Sequence, residues 1–323
     1  MTTEVEVSGI EGSAPRVHNG VHRGEVLLEK DGFKVIACEA CGFRHVTPLP
    51  TEAELAEVYR HDYYSLEKPL YLERAREDKL WWDRLHDGRM ARVEELCESA
   101  GRRLLDVGSG PGLLLERAAA RGWEVLGIEP SRQAAAHARS LGVEICEEFL
   151  DDDLAQELLT RETAGFDCIH AAEVLEHLPD ARAMVRRMVG MLRPGGVLAL
   201  SVPNDFNPIQ DALVEVRDFQ PWWVAPPHHL NYFDFDSLEG LLASEGLEPV
   251  RRETTFPIDL FLLMGEDYTT DDSLGRACHR RRMEMESALH ESGRGGLLQD
   301  LYDSFAALGI GRHAIVYARR STT

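Results

Sequence analysis

The middle of the chain alternates between short apolar runs and longer amphipathic segments. The apolar runs have the length of buried strands, and they read RRLLDVG, WEVLGIEP, VEICEEF, FDCIHAAEV and GGVLALSVP between residues 102 and 203. The intervening segments LLLERAAARG, SRQAAAHARSLG and ARAMVRRMVGML carry apolar residues at helical spacing. Strands that alternate with helices of this length form βαβ units. The pattern therefore predicts an α/β fold with a parallel sheet covered by helices on both faces.

The flanks of this region have other patterns. Two strands are predicted between residues 26 and 47, and a helical pattern extends from residue 51 to residue 97. A loop rich in Trp, Pro and His at 203–233 is followed by a helix and a strand, and two further helices are predicted at 273–291 and 297–308. The patterns divide the chain into an N-terminal tail and strand segment (1–50), a helical lid or linker (51–98), the core (99–256), a helical insertion (257–309), and the last core strand, HAIVYARR, with its tail (310–323).

The helical insertion contains an apolar run and a basic run. The apolar run PIDLFLLMG is too apolar to be left in water. It packs on the core, lines a ligand pocket or forms the face of a homodimer, and the sequence leaves these alternatives open. The basic run Arg280–Arg282, with Arg276 and His279 just before it, is typical of a solvated helix face. A local site for a phosphate or carboxylate group is the alternative.

Charge and composition exclude several classes of function. The formal net charge of −21 repels a polyanion at long range, which speaks against a nucleic-acid partner. No apolar run approaches the roughly 20 residues that span a bilayer, so we expect no membrane partner. The polar start MTTEVEVSGI lacks a signal-peptide pattern, and we therefore expect a cytoplasmic protein. Among six cysteines only Cys38 and Cys41 are close together, which fits a reducing compartment.

The segment DVGSGPG, from Asp106 to Gly112, follows the first predicted core strand. A glycine-rich turn at this position lets the backbone approach a ligand and directs a helix N-terminus at it. Asp106 can hold an ammonium group, and Glu129, at the end of the next strand, can accept both hydroxyls of a ribose. The spacing Gly-x-Gly-x-Gly after an acid differs from the dinucleotide pattern Gly-x-Gly-x-x-Gly. The cofactor-binding residues predicted in the loop itself are Gly108, Ser109, Gly110 and Gly112.

Four motifs, in order over about residues 100–256, resemble those of the class I S-adenosylmethionine-dependent methyltransferases. They are LLDVGSGPG, GIEPS, FDCIHAAEVLEHLPD and LRPGGVLALSVPN. The resemblance implies a Rossmann-like sheet of seven strands whose last strand is antiparallel, with S-adenosylmethionine as the cofactor. It also implies that the adenine lies near Phe149 and Leu150, and that Ala172 and Glu173 line the methionine side.

Candidate catalytic residues lie in two segments, Glu173–His177 past the fourth core strand and Pro226–Phe233 past the fifth. Both segments follow the carboxyl ends of parallel strands, where this architecture binds its ligands. Two carboxylates and two imidazoles suit a divalent ion such as Mg²⁺ or Mn²⁺, which can lower the pKa of a substrate hydroxyl. The arrangement is similar to that of the ubiquinone-pathway O-methyltransferases and of the enzymes that methylate the 2′-hydroxyl at small-RNA 3′ ends. This resemblance implies a metal site formed by Glu173, Glu176, His177 and either His228 or His229.

A site without metal is equally compatible with these residues. In that interpretation His177 or His229 is the general base, and Glu173 is a further catalytic candidate. A purely structural role for the motif is a third interpretation. Four aromatic residues of the long loop either wall the acceptor pocket or pack as ordinary core, and they are Trp222, Trp223, Tyr232 and Phe233.

The residues thus favour an O-methyltransferase that acts on a small hydroxylated metabolite. A sugar, a polyketide or a phenolic intermediate of secondary metabolism is the expected acceptor. A C- or N-methyltransferase that uses a histidine base without metal is the main alternative. A catalytically silent protein that only binds the cofactor is a further alternative.

The N-terminal region resembles the zinc ribbon, Pro-x-Pro turn and tyrosine-rich helix that precede the catalytic domain in many of these enzymes. The matching residues are Cys38-x-x-Cys41, Pro48-Leu49-Pro50 and Tyr59-x-x-x-Tyr63-Tyr64. The first cysteine pair of a full ribbon is missing, and His18 with His22 can replace it in a Cys₂His₂ zinc site. A degenerate ribbon without metal is the alternative. The resemblance also implies that Tyr63 or Tyr64 folds over the cofactor as a lid.

Overall fold

The computed structural model describes residues 16–19, 21–50, 71–98, 101–162 and 164–322. The predicted lid residues Tyr63 and Tyr64 lie outside these ranges. The strands are β1 (Arg16–Asn19), β2 (His22–Lys30), β3 (Phe33–Cys38), β4 (Arg44–Thr47), β5 (Arg103–Val107), β6 (Glu124–Ile128), β7 (Glu144–Cys146), β8 (Phe166–Ala172), β9 (Leu192–Pro203), β10 (Asn231–Tyr232), β11 (Leu247–Glu253) and β12 (His313–Arg320). The α-helices are α1 (Tyr71–Glu77), α2 (Lys79–Leu96), α3 (Leu113–Ala120), α4 (Arg132–Ser140), α5 (Asp152–Arg161), α6 (Ala181–Met191), α7 (Pro208–Arg217), α8 (Phe235–Ser244), α9 (Leu260–Leu263), α10 (Asp272–Glu291) and α11 (Gly295–Ala307).

Seven strands form the central sheet in the order β11-β12-β9-β8-β5-β6-β7. The pairs β5–β6, β5–β8, β6–β7 and β8–β9 are parallel. Strand β12 is antiparallel to both of its neighbours, β9 and β11. The predicted α/β fold, with a seven-stranded sheet and an antiparallel last strand, is therefore confirmed. The carboxyl ends of the parallel strands meet at one edge, and this edge carries the site described below.

Helices cover both faces of the central sheet. On one face, α5, α6 and α8 pack against sheet residues such as Ile169 and Leu200. On the other face, α2, α3 and α4 pack against Leu104, Cys168 and Tyr317. Because the strands are buried on both sides, they read as nearly continuous apolar runs instead of alternating apolar and polar residues.

Two helices occur where the sequence analysis predicted none. Helix α5 begins after Asp151, whose side chain accepts a hydrogen bond from the backbone of Leu154 at 2.8 Å. Helix α7 lies inside the predicted long loop, where Asn207 and Gln210 form a capping box around Pro208 at the first turn. Both caps are readable as helix starts, and Leu154 and Leu158 of α5, like Ile209 and Leu213 of α7, are apolar residues four positions apart, so the sequence did contain the signal of both helices.

A second, smaller sheet has the strand order β1-β2-β3-β4-β10 and is antiparallel throughout. The prediction of two strands in the N-terminal region was incomplete, since four lie between residues 16 and 47. Asp31 and Gly32, with φ angles of 52° and 83°, form the turn between β2 and β3. The fifth strand, β10, comes from the long segment after β9, so the core region completes the N-terminal sheet.

The aromatic residues of the long segment pack as core. Trp223 and Tyr232 form a buried cluster with Val35 and Val46 of the N-terminal sheet. Phe233 belongs to the main core instead, with its ring 4.7 Å from that of Phe43. Of the two alternatives for these aromatic side chains, the structure shows ordinary packing.

The apolar run PIDLFLLMG packs against α7. Leu262 joins Ile209 and Leu213 in one buried cluster, and Phe261 is buried as well. Helix α10 lies against α2, where Arg276 Nη1 is 2.6 Å from a carboxylate oxygen of Asp78. In the described part of the chain, no helix has the length and apolar character needed to cross a membrane.

Candidate functional site

A cavity of about 430 Å³ opens at the carboxyl edge of the central sheet. This volume is in the range of small-molecule sites, roughly 300–1,000 Å³. One wall, the glycine-loop side, consists of the loop after β5 and the segments that follow β6 and β7. A second wall, the helical side, consists of residues from α2 and α10. The segment after β8 and the start of β12 also line the cavity.

The predicted glycine loop adopts a backbone that favours glycine. Gly108, Gly110 and Gly112 have φ angles of 70°, 52° and 79°. A Cβ on Gly108 would lie 2.5 Å from Val174 Cγ2, so the loop needs glycine there. A Cβ on Gly112 would lie 2.7 Å from that of Ala138, and this glycine permits close packing of α3 instead of lining the cavity.

Glu129 follows β6 and is 5% exposed. Its carboxylate accepts hydrogen bonds from the backbone N–H groups of Gly110 and Ser131, both at 2.8 Å. Burial raises the pKa of Glu129 to about 7, although the two backbone donors oppose this shift. Each carboxylate oxygen has a second lone pair, so the group can also accept hydrogen bonds from two neighbouring hydroxyls of a ribose.

Asp106 is held by a chain of side chains that the sequence analysis missed. Its Oδ1 is 2.6 Å from Nδ1 of His170, and Nε2 of His170 is 3.0 Å from Nη1 of Arg89. Because a guanidinium group only donates, Nε2 accepts and Nδ1 carries the proton that is donated to Asp106. The chain fixes an acceptor group at the cavity wall. His170 lies in an apolar strand, where its chemistry left no separate signal.

The glycine-loop side fits a nucleoside cofactor that carries an amino-acid group. Ser109 Oγ is buried and has no hydrogen-bond partner among the described residues. With Asp106 and Glu129 in the same wall, the cavity offers acceptors for an ammonium group and for ribose hydroxyls. Apolar surface for a base comes from Phe149 and Leu150, and Ala172, predicted for the methionine side, also lines the cavity.

Glu173 has a left-handed backbone, with a φ angle of 55°, directly after β8. Its Oε1 lies 3.3 Å from Nε2 of His313, and Nδ1 of His313 lies 2.8 Å from Oγ1 of Thr255. Burial lowers the pKa of His313, although Glu173 opposes the shift, so the imidazole is neutral at pH 7. This Glu173–His313 pair faces the cavity. The sequence analysis missed His313, because nothing in the last strand indicates that its start meets the end of β8.

The predicted metal ligands divide into two groups. Among the described residues, the ligand atoms of Glu176, His177 and His229 lie within 4.8 Å of one another. Glu173 contacts His313 instead. His228 has an exposed side chain, and its backbone oxygen lies 2.7 Å from Nδ1 of His177. The cluster therefore contains one carboxylate and two imidazoles, where the sequence analysis expected two of each.

We call Glu176, His177 and His229 the acid–histidine triad. One carboxylate with two imidazoles suits transition-metal ions better than Mg²⁺, which prefers oxygen ligands. Glu176 is 1% exposed, and the rings of His177 and His229 are perpendicular with centroids 5.0 Å apart. His177 also lines the cavity, so it connects the triad to the space where an acceptor would lie.

The helical side has an aromatic and cationic wall. Trp81 and Trp82 come from α2, and Trp82 stacks on His86 at a centroid distance of 5.6 Å. The guanidinium carbon of Arg282 lies 4.8 Å from the ring centroid of Trp81, and its Nε is 2.8 Å from Oε1 of Glu286. Arg282 is 6% exposed, so this member of the basic run is not on a solvated face. The loop residues Trp222, Trp223, Tyr232 and Phe233 do not line the cavity, which agrees with the second of the two alternatives left open for them, ordinary packing.

The predicted zinc ligands Cys38 and Cys41 lie outside the cavity. They come together with His22 and His45 in the N-terminal sheet. His18, which the sequence analysis paired with His22, stands on β1 opposite Arg23. The structure thus gives a four-residue set in which His45 replaces His18.

Comparison with known proteins identifies the core. The model of the Methyltransferase domain family matches residues 78–252, which is more than half of the 323 residues. Ubiquinone biosynthesis O-methyltransferase of Pseudomonas syringae pv. tomato is 36% identical over 138 residues, and that of Pseudomonas putida is 37% identical over 138 residues. Both alignments cover 38% of this chain and 58% of the relative, so the chain spans less than two thirds of the length of these relatives.

Among solved structures, magnesium protoporphyrin IX methyltransferase from Synechocystis PCC 6803, with bound SAH, is similar to this chain. The TM-score is 0.49 at 14% sequence identity. The superposition covers 84% of this chain and 100% of that chain.

Proposed function

Because the chain belongs to the methyltransferase-domain family, we propose that it transfers the methyl group of S-adenosylmethionine to a hydroxyl group of a small molecule. The match confirms the family and the enzyme class that the sequence analysis predicted. One observation supports the proposal best. A single cavity brings the glycine loop and Glu129 together with the Glu173–His313 pair.

The glycine-loop side would hold the cofactor. Asp106 would accept hydrogen bonds from its ammonium group and Glu129 from its ribose hydroxyls, while Ser109 offers a further hydroxyl. When bound, S-adenosylmethionine supplies an electrophilic methyl group on a sulfonium sulfur. The residues of this chain would orient the acceptor and remove its proton.

We assign the removal of the proton to the Glu173–His313 pair. The side chain of Glu173 is 45% exposed, and it faces the cavity. The neutral His313 donates its Nε2 proton to Glu173, and Thr255 donates its hydroxyl proton to Nδ1, which fixes the ring. In this arrangement Glu173 is the catalytic base and His313 is a positioning residue. The predicted base His177 reaches the same cavity from the triad.

We further propose that the acid–histidine triad binds a divalent ion. The donor set fits Zn²⁺ or Fe²⁺, because imidazole nitrogens outnumber the carboxylate. Such an ion on His177 would lower the pKa of an acceptor hydroxyl in the cavity. This would favour O-methylation over methylation of carbon or nitrogen.

A C- or N-methyltransferase that works without metal is the second candidate. The observation in its favour is that Glu173 contacts His313 and is not part of the triad. The base and the metal ligands are therefore separate groups, and the base can act alone. The two candidates differ in whether removal of metal stops methyl transfer.

A phenolic compound is the acceptor class that the helical side favours. Trp81 and Trp82 offer flat apolar surface for an aromatic ring. Arg282 beside Trp81 suits a carboxylate substituent on that ring. The net charge of −21 supports a small molecule over a nucleic acid, because the whole protein repels polyanions.

Calorimetry followed by a methyl-transfer assay tests the proposal. S-adenosylmethionine is titrated into the protein, and transfer to hydroxybenzoates, free sugars and amines is then measured. Each assay is repeated after exhaustive chelation and after separate addition of Mg²⁺, Mn²⁺ and Zn²⁺. Transfer to a hydroxybenzoate that depends on a divalent ion supports the proposal in full. Transfer that is unaffected by chelation supports the second candidate, and failure to bind S-adenosylmethionine contradicts both.

A further inference from the structure

Four metal-ligating side chains converge in the N-terminal sheet, away from the cavity. His22 begins β2, Cys38 ends β3, Cys41 lies in the turn between β3 and β4, and His45 lies on β4. One ligand atom from each lies within 4.8 Å of the other three. None of the four is among the residues that line the cavity.

Three of the six distances within this cluster are close to the edges of a small tetrahedron. Nδ1 of His22 lies 3.1 Å from Nε2 of His45, 3.7 Å from Sγ of Cys38 and 3.4 Å from Sγ of Cys41. With the usual zinc–ligand bond lengths, a tetrahedral site has N–N edges of about 3.3 Å and N–S edges of about 3.6 Å. Little movement would be needed for the four atoms to share one ion.

The backbone holds the two cysteines in a tight turn. Gly42 donates its N–H to the carbonyl of Cys38 at 2.9 Å, and Cys38 donates to the carbonyl of Phe43 at 3.2 Å. The turn needs a left-handed residue after Cys41, and Gly42 supplies it with a φ angle of 77°. The carbonyl of Cys41 accepts a hydrogen bond from Arg182 of α6 at 3.2 Å, which ties the turn to the core.

His45 is oriented as a metal ligand before any ion binds. It is 1% exposed, and its Nδ1 lies 2.7 Å from the backbone carbonyl of Val46. A carbonyl only accepts, so Nδ1 carries the proton, and the lone pair of Nε2 points into the cluster. A hydrogen bond of this kind behind the ring is the usual partner of a metal-binding histidine.

We propose that His22, Cys38, Cys41 and His45 bind one Zn²⁺ ion as a closed structural site. Four protein ligands fill a tetrahedral zinc ion, which leaves no position for a substrate, so the ion would stabilise the fold. Two thiolates and two imidazoles are the softer donors that zinc prefers over Mg²⁺ or Ca²⁺. The proposal concerns a different site from the acid–histidine triad and does not depend on the proposed function.

The proposed zinc site is connected to the cavity through strand β10. His45 pairs with Asn231 of β10 across the sheet. The side-chain amide of Asn231 donates to the carbonyls of Leu175 and Leu178, at 2.8 Å and 2.7 Å, on either side of His177. Loss of the ion would therefore loosen the 3₁₀ turn Leu175–His177 as well as the N-terminal sheet.

Metal analysis of the untagged, full-length protein tests the proposal. The protein is loaded with Zn²⁺, desalted and analysed, and this site should account for about one tightly held ion per chain, counted apart from any zinc on the acid–histidine triad, which the His177→Ala variant removes. Replacement of zinc by Co²⁺ should give intense visible bands of tetrahedral geometry and a near-ultraviolet thiolate-to-cobalt band. The Cys41→Ser and His45→Gln variants should lose this one ion, and Cys41→Ser should weaken the thiolate band.

Two controls keep the outcome specific. Cys146→Ser removes a cysteine outside the cluster and should retain all of the zinc and the full thiolate band. His177→Ala removes a triad ligand and should also retain the thiolate band. If the cluster variants fail to fold, a mercurial titration of the unmodified protein replaces them, and it should release zinc as thiols react. Absence of zinc and of a thiolate–cobalt band in the unmodified protein overturns the proposal, as does equal loss of zinc in Cys146→Ser.

Discussion

The two sides of the cavity are built in different ways. On the glycine-loop side, the parallel pairing of β5 with β6 fixes the position of Asp106, which lies opposite Gly127 of β6. On the helical side, Trp81 contacts Glu286, which is 205 residues away in the chain. The proposed cofactor contacts therefore follow from sheet geometry, whereas the proposed acceptor contacts depend on packing between distant helices. Substitutions on the two sides should change different measured quantities.

The largest effect is expected at Glu173, the proposed base. Glu173→Gln keeps the shape of the side chain and removes its ability to accept a proton. Loss of a general base lowers kcat by about 10²- to 10⁴-fold. The Kd for S-adenosylmethionine, measured by calorimetry, should stay within about threefold, since the side chain is not on the glycine-loop side. A kcat that stays at the level of the unmodified protein would contradict the assignment of Glu173 as the base.

On the glycine-loop side, Glu129→Ala should weaken binding of S-adenosylmethionine by about 100-fold, which corresponds to about 2.7 kcal/mol. The reason is the loss of a carboxylate that would accept two ribose hydroxyls and that also fixes Gly110. Calorimetric titration measures the effect. The exposed Glu144→Ala on β7 is the control and should bind normally. If both variants bind equally well, the ribose is not held by Glu129.

His313→Gln should lower kcat by about 10-fold, because Glu173 loses the donor that orients it. It should also change the pH profile. The pKa of His313 is lowered by burial, so the ring is neutral above about pH 6.5 and becomes charged only at lower pH. In the unmodified protein kcat/KM should rise with pH through this pKa, since a charged His313 holds Glu173 in an ion pair and weakens it as a base. An acidic limb that persists in His313→Gln would show that another group titrates.

On the helical side, Trp82→Ala should raise KM for the acceptor by about 5- to 10-fold, in line with the loss of one aromatic contact. The Kd for S-adenosylmethionine should not change. The exposed neighbour Leu80→Ala tests for an effect of helix α2 itself and should behave as the unmodified protein. A change in cofactor affinity for Trp82→Ala would contradict the proposal that the helical side binds only the acceptor.

The smallest effect is the sharpest test of that separation. Arg89 lies on α2, yet its only described polar contact from the side chain is to His170, which holds Asp106. Arg89→Gln should therefore weaken binding of S-adenosylmethionine by about threefold, with KM for the acceptor unchanged. The opposite pattern, a raised KM with normal cofactor binding, would place Arg89 among the acceptor contacts.

The central sheet could be predicted because the residues that identify each of its parallel strands are adjacent in the sequence. The parallel strands β5, β8 and β9 are largely apolar and buried, and the acids Asp106 and Glu129 stand at strand ends where the βαβ rule puts ligands. The partners His170 and His313 were missed for a physical reason. Their importance comes from which strand ends meet at the edge of the folded sheet, and no residue near them in sequence indicates this.

The candidate metal ligands also show that the sequence does not specify which residues of one motif come together in the fold. The motif Glu-x-x-Glu-His predicted that Glu173 and Glu176 act together. A left-handed backbone at Glu173 accompanies its contact with His313, while Glu176 lies in the following turn. One backbone angle that propensity does not specify thus separates two residues of one motif. In the N-terminal sheet, the register of β4 likewise selects His45 where spacing suggested His18.

Strand β10 has a practical consequence for the design of shortened or recombined versions of this protein. It is two residues long, and it is contributed to the N-terminal sheet by a segment that follows β9. Deleting residues 1–50 would expose Trp223 and Tyr232 to solvent and leave β10 without its partner strand. Exposed apolar surface and an unpaired strand edge both promote aggregation. The N-terminal sheet is therefore not a portable module, and a graft between related enzymes would have to exchange residues 16–47 and 221–233 together.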